Sequence, residues 1–133
     1  MRSIIRQSVV LPTSAEQLYA TYLDPALHSA ATGALAPVTI SPEPGSAFSA
    51  FGGTITGTIL STVAPRLIIQ SWRSAHFLPT DPDSTLILSF TPEGDHGRID
   101  LIHIDVPPQD FDGVTEGWDK YYWSPWKAWL AAK

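Results

Sequence analysis

The stretch 117–133 carries four of the chain's five tryptophans, Trp118, Trp123, Trp126 and Trp129, together with Tyr121 and Tyr122. On a helix, at about 100° per residue, the run 111–130 sorts into two sides. Phe111, Val114, Trp118, Tyr121, Tyr122, Pro125 and Trp129 share one broad face, with Trp126 on its flank. Glu116, Lys120, Ser124, Lys127 and Trp123 take the other. An isolated helix cannot bury so much ring surface, so this segment requires a large concave partner.

The rest of the chain supplies that partner as strands. Residues 3–11 are rich in β-branched side chains and read as a strand. Pro12 stops it, and Thr13 with Glu16 three residues on has the capping-box pattern of a helix start. Asp24-Pro25 opens a second short helix, with Asp as N-cap and Pro at the first position, ending at Gly33. Strands are then predicted at 36–41, 46–51, 54–63, 66–75, 85–91 and 98–106, separated by Pro- and Gly-rich breaks. The short connections predict an antiparallel meander. Pro107-Pro108 ends it, Asp110 or Asp112 offers an N-cap to the aromatic helix, and Pro125 must bend that helix.

A chain of 133 residues fits one domain, 1–133, with a core that needs no staples. The absence of cysteine removes disulfides and Cys-based zinc sites. A net charge of −5 with scattered Lys and Arg offers no stripe for phosphates, so no nucleic-acid partner is expected. No apolar run reaches the roughly 20 residues of a membrane span. The N-terminal Met1-Arg2-Ser3-Ile4-Ile5-Arg6 lacks a secretory signal, and a cytoplasmic location is expected.

The order strand, two helices, strands, long helix resembles the helix-grip fold of the START-like (SRPBCC) superfamily. More narrowly, the chain resembles the domain found in activators of the heat-shock-protein-90 ATPase, in its stand-alone single-domain form. The resemblance rests on Asp24-Pro25 with His28-Ser29-Ala30-Ala31-Thr32-Gly33, Gly45 with Phe48, and Gly53 with Gly57. It continues through Gln70-Ser71-Trp72-Arg73, Asp83-Ser84, His103 with Val106-Pro107, and the run from Gly117 to Trp126. It implies an α+β fold of about six to seven antiparallel strands, curved, with the C-terminal helix on the concave face. It also implies a cavity between sheet and helix, a role in the stress response, and a chaperone as one kind of partner. The full-length co-chaperone carries a further N-terminal domain that this sequence does not show.

Strand alternation populates that cavity. The resemblance turns Leu101 and His103 inward, and Leu88 and Phe90 are expected beside them. Trp72 and Phe48 join them, facing Trp118, Tyr122, Trp126 and Trp129 of the helix. Apolar walls with a few polar tips are the profile of a small-molecule pocket; packed core is the alternative for the same residues. His28 is placed at the cavity mouth, and Trp123, on the polar side, at an interaction surface.

No catalytic residue emerges. There is no Gly-x-Ser-x-Gly elbow, no spaced metal-ligand set and no phosphate cradle. No cofactor or metal is expected, and enzyme activity is not. His103 with Asp105, two apart on one strand and so read onto one face, is the residual acid–base pair. The expected function is binding of a hydrophobic or aromatic small molecule. The alternatives are a co-chaperone-like interaction module and a cyclase- or hydrolase-like enzyme using His103. Either a monomer or a homodimer through an exposed sheet edge fits the pattern.

Overall fold

The computed structural model describes residues 3–34 and 36–133. Met1 and Arg2, part of the N-terminal stretch read above for a targeting signal, lie outside the described residues, as does Leu35. The elements are β1 (Ser3–Leu11), α1 (Ala15–Leu23), α2 (Pro25–Thr32), β2 (Ala47–Ala50), β3 (Ile55–Val63), β4 (Leu67–Ser74), β5 (Ser84–Glu93), β6 (His96–Val106), α3 (Phe111–Trp118) and α4 (Ser124–Ala131). The strands form one antiparallel sheet in the order β1-β6-β5-β4-β3-β2. Strands β2 to β6 are the expected meander, and β1 adds to its far edge. The stretch 36–41 makes only an isolated bridge, Thr39 with Ser49, and not a strand. Pro37 lies within it and Pro42 follows it, and prolines cannot donate to a ladder.

Local chemistry explains the two short helices. Ser14, not Thr13, caps α1: its Oγ accepts from Gln17 N–H at 3.1 Å. Glu16 is then released outward and lies 3.6 Å from Arg66. Asp24 caps α2 through Leu27 N–H at 2.9 Å, and Gly33 closes it at φ 70, where a side chain would be strained. Helix α1 packs on β5 and β6. Gly97 permits this, because a Cβ there would fall 2.8 Å from Ala15 N.

Between α3 and α4 the helix does not stop. Residues Asp119–Trp123 form one π-turn, in which Ser124 N–H bonds Asp119 O five residues back. Pro125 supplies the cause. It sits in the first turn of α4, and in uninterrupted α-helical register its ring would strike the carbonyl four residues earlier. One wide turn relieves that clash and adds about one residue to the turn. Everything downstream is set back by roughly 100° of rotation. Trp123 thereby leaves the polar side and is 6% exposed, while Tyr121 leaves the apolar face and is 49% exposed. The sequence expectation for these two residues is reversed by this single turn.

The inner faces of the strands and the buried face of the helix form one core. Leu86, Leu88 and Phe90 of β5, Ile99 and Leu101 of β6 and Ile68 of β4 meet Trp118, Tyr122, Trp123 and Trp126 across it. Each buried ring removes about 150–250 Å² from water, on the order of 4–6 kcal/mol of gross hydrophobic stabilisation.

Candidate functional site

Two chains of hydrogen bonds tie the aromatic helix to the rest of the core. In the first, Trp118 Nε1–H donates to His103 Nδ1 at 3.2 Å. An indole can only donate, so Nδ1 is the unprotonated nitrogen and Nε2 carries the hydrogen. Nε2 therefore donates to Ser84 Oγ, 2.8 Å away. The Ser84 hydroxyl passes the direction on, donating to Trp72 O at 2.6 Å. His103 is fully buried, and desolvation of the charged form lowers its pKa to about 3. It is a neutral pin with both nitrogens occupied.

The second chain begins at α2. His28 Nδ1 faces Tyr22 O at 2.7 Å, an acceptor, so here Nδ1 is protonated. Nε2 is then free to accept from the Tyr122 hydroxyl at 2.9 Å. Tyr22 donates its own hydroxyl to Gln70 Oε1, and Gln70 Nε2–H reaches Ser71 O at 3.3 Å. Burial lowers the His28 pKa to about 4, with the Tyr22 carbonyl opposing it, and pushes the Tyr122 phenol well above its usual range. His28 is 0% exposed, which corrects its placement at a cavity mouth. Asp24 and Pro25 turn α2 so that His28 points into the core.

In front of these chains lies a cleft of about 540 Å³ between α3 with its π-turn and the ends of β3 and β4. Trp72, Trp118 and Tyr122, three of the residues expected at a pocket, line it. Their rings are packed at 6.1 Å for Trp72 with Trp118 and 4.9 Å for Trp118 with Tyr122. Phe48, Leu88, Phe90, Leu101 and Trp126 lie elsewhere, in closed core, and His103 sits behind the Trp72–Trp118 wall. Trp129 is half-buried on α4, with Lys133 Nζ 4.2 Å from its ring centroid. Trp123 is also core. It stacks on Trp118 at 5.7 Å and donates to Gln7 Oε1 at 2.9 Å, which removes it from any contact surface. Asp105 takes φ 65 at the end of β6, so alternation fails there: it is exposed while His103 is buried, and no acid–base pair forms.

Several lining residues were not singled out from sequence. Phe51 occupies a left-handed conformation, φ 53, between β2 and β3, uncommon for a bulky residue. Its ring lies 5.8 Å from Tyr121 and 6.0 Å from Tyr122. Gly113 and Gly117, one turn apart on α3, also line the cleft, and at Gly117 a Cβ would meet only the Tyr121 ring, at 3.6 Å. The helix presents bare backbone to the space. Ile55, Ser74, His76, Val114, Asp110, Glu116 and Lys120 complete most of the lining. The dipeptide Gly52-Gly53 after Phe51 and the Gly-x-x-x-Gly spacing 113–117 were the available signals.

Ser84 and His103 are not arranged as a nucleophile and its base. Activating a serine needs an imidazole lone pair facing its hydroxyl. Ser84 instead accepts from His103. Among the described residues, no group of three His, Cys, Asp or Glu is placed to hold a metal, and no helix is long and apolar enough to cross a membrane.

Comparison with known proteins follows the same lines. Residues 12–130 match the family described as "Activator of Hsp90 ATPase homolog 1-like protein". An uncharacterized protein of Schizosaccharomyces pombe is 29% identical over 123 residues, covering 92% of this chain. The chain spans 36% of the length of that relative. Among solved structures, an HSP90 activator from Plasmodium falciparum superposes with a TM-score of 0.87 at 18% identity, covering 96% of both chains. A protein from Mesorhizobium loti does so with a TM-score of 0.81 at 17% identity, over 98% of both. At such identities the likeness is one of fold.

Proposed function

The chain belongs to the Activator of Hsp90 ATPase homolog 1-like family, and on that premise we propose that it is a START-like domain that binds an apolar or aromatic small molecule in the cleft beside α3. The observation that carries this reading is the cleft itself, about 540 Å³ walled by Phe51, Trp72, Trp118, Tyr121 and Tyr122. That volume suits a drug-sized ligand, and mainly apolar walls with few polar tips are what such sites have. The two hydrogen-bonded chains support it by fixing Trp118 and Tyr122, so the wall is ordered before a ligand arrives and little ordering entropy is lost on binding.

Gly117→Leu tests the reading without harming the fold, because the new side chain enters the open cleft and leucine is the better helix former. Native mass spectrometry of freshly purified protein is expected to show a retained small molecule, or one acquired from a hydrophobic library. The Gly117→Leu chain is expected to lose it. Equal retention by both chains would rule out the cleft as the site.

A second reading, a protein-interaction module of the co-chaperone type, has one observation of its own. Ile69, Ile87 and Ile102 stand in register on the outer face of β4, β5 and β6, with Ile102 37% exposed. A row of aliphatic side chains on an uncovered sheet face is a partner surface in kind. Stimulation of a purified heat-shock-protein-90 ATPase, lost in Ile102→Lys, is the outcome expected of that reading; no stimulation by the unmodified chain counts against it.

A further inference from the structure

Among the charged groups of the cleft, one is set apart. Asp110 stands at the start of α3, in the N-cap position, yet its side chain caps nothing. Its Oδ2 is shielded from water and has no hydrogen-bond partner among the described residues. Leaving a carboxylate oxygen without donors in such a place is costly, and a buried polar atom without a partner beside a cavity points to a group not yet present. The other charges at the cleft balance each other. Glu116 and Lys120 are exposed, four residues apart on the helix, and Lys120 Nζ rests 5.2 Å from the Tyr121 ring centroid at the rim.

The cleft that Asp110 lines is otherwise walled mainly by rings. Trp72 and Trp118 lie 6.1 Å apart at 39°, and Phe51 closes on Tyr121 at 59°. Aromatic rings attract a desolvated cation, and an ammonium supplies N–H donors to a carboxylate. Gly113, next to Asp110, contributes no side chain: a Cβ there would come within 3.4 Å of Asp110 Oδ1. Gly113 therefore adds no side chain against the carboxylate.

Resting on the small-molecule reading above, we propose that the cleft selects an organic ammonium carried on a flat apolar body, with Asp110 as the counter-ion and the rings that line the same cleft, Trp72, Trp118 and Phe51 among them, as walls for the body. A neutral or anionic ligand of the same shape fits the rings and leaves the carboxylate unanswered.

Three probes of one shape separate the ideas: 1-naphthylmethylamine, 1-naphthalenemethanol and 1-naphthoate, each titrated by calorimetry into the full chain. The amine is expected to bind about tenfold more tightly than the alcohol, and the naphthoate most weakly. In Asp110→Asn, a variant that loses no capping bond, the amine is expected to fall to the affinity of the alcohol while the alcohol is unchanged. Unchanged alcohol affinity also reports that the variant is folded. Equal binding of amine and alcohol to the unmodified chain overturns the proposal and leaves the small-molecule reading standing. An amine preference that survives Asp110→Asn does the same. If none of the three binds, the small-molecule reading fails as well.

Discussion

Ser84 and His103 lie 2.8 Å apart with the hydroxyl hydrogen directed away from the ring, toward Trp72 O. The pair has the spacing of a nucleophile and its base but the opposite polarity, set by the indole of Trp118 on the other ring nitrogen. An organophosphorus reagent that labels activated serines is therefore expected to leave Ser84 unmodified. Ser84→Ala strands the His103 Nε2–H in the core and is expected to cost about 1–3 kcal/mol in urea unfolding. Stoichiometric labelling of Ser84 would contradict this polarity.

Acid should unlock the helix. Both buried histidines have pKa values lowered by desolvation, His28 to about 4 and His103 to about 3, against 6.5 when exposed. The unfolded chain then binds more protons than the folded one across that interval. Their contribution is complete above about pH 6.5 and is lost as pH falls through the window toward 4 and 3. At pH 4.5 the loss is roughly 2–3 kcal/mol per histidine. Urea midpoints at pH 7.5 and 4.5 measure it; equal stability at both would mean that the rings are not held neutral.

Two glycines should respond in opposite senses to alanine. At Gly57 a Cβ would fall 2.0 Å from the backbone oxygen of Ser71 across the β3–β4 pairing. Gly57→Ala is expected to cost about 3 kcal/mol or more. Gly117→Ala adds a methyl to a helix position where it meets only the Tyr121 ring, at an ordinary contact distance of 3.6 Å, and is expected to gain about 0.5–1 kcal/mol. Thermal unfolding of the two variants reads the contrast directly.

Trp123 is the residue on which the sequence pattern and the π-turn disagree. As a surface ring its loss would change stability by at most about 0.5 kcal/mol. As a buried ring bonded to Gln7, Trp123→Ala is expected to cost about 3–5 kcal/mol in chemical unfolding. A near-neutral result would contradict the rotated helix.

The architecture was legible because its signals are periodic. Alternation grouped Leu88 with Phe90 on β5 and Leu101 with His103 on β6, the resemblance turned the β6 set inward, and Asp24-Pro25 with Gly33 bounded α2. Phase was less legible. Pro125 was recognised as a disturbance, but the sequence does not say whether a proline kinks a helix or widens one turn, and the choice decides where Trp123 and Tyr121 face. The cleft was the least legible part. Its distinctive positions, Phe51 at positive φ and the backbone of Gly113 and Gly117, are marked by missing side chains and an unusual dihedral rather than by chemistry-bearing residues. Trp72, Trp118 and Tyr122 could be named in advance, yet nothing local distinguished them from Phe90 or Trp126, rings of the same kind that pack the closed core.

The central claim is that small molecules enter beside α3 and nowhere deeper. Five indole N–H signals in a nitrogen–proton correlation spectrum report it site by site, once each is assigned by a single Trp→Phe substitution. Addition of 1-naphthalenemethanol is predicted to shift the Trp72 and Trp118 signals in a saturable manner and to leave those of Trp123, Trp126 and Trp129 in place. Saturable shifts at Trp126 or Trp129 without Trp72, or no shift at any concentration the ligand allows, would contradict the account.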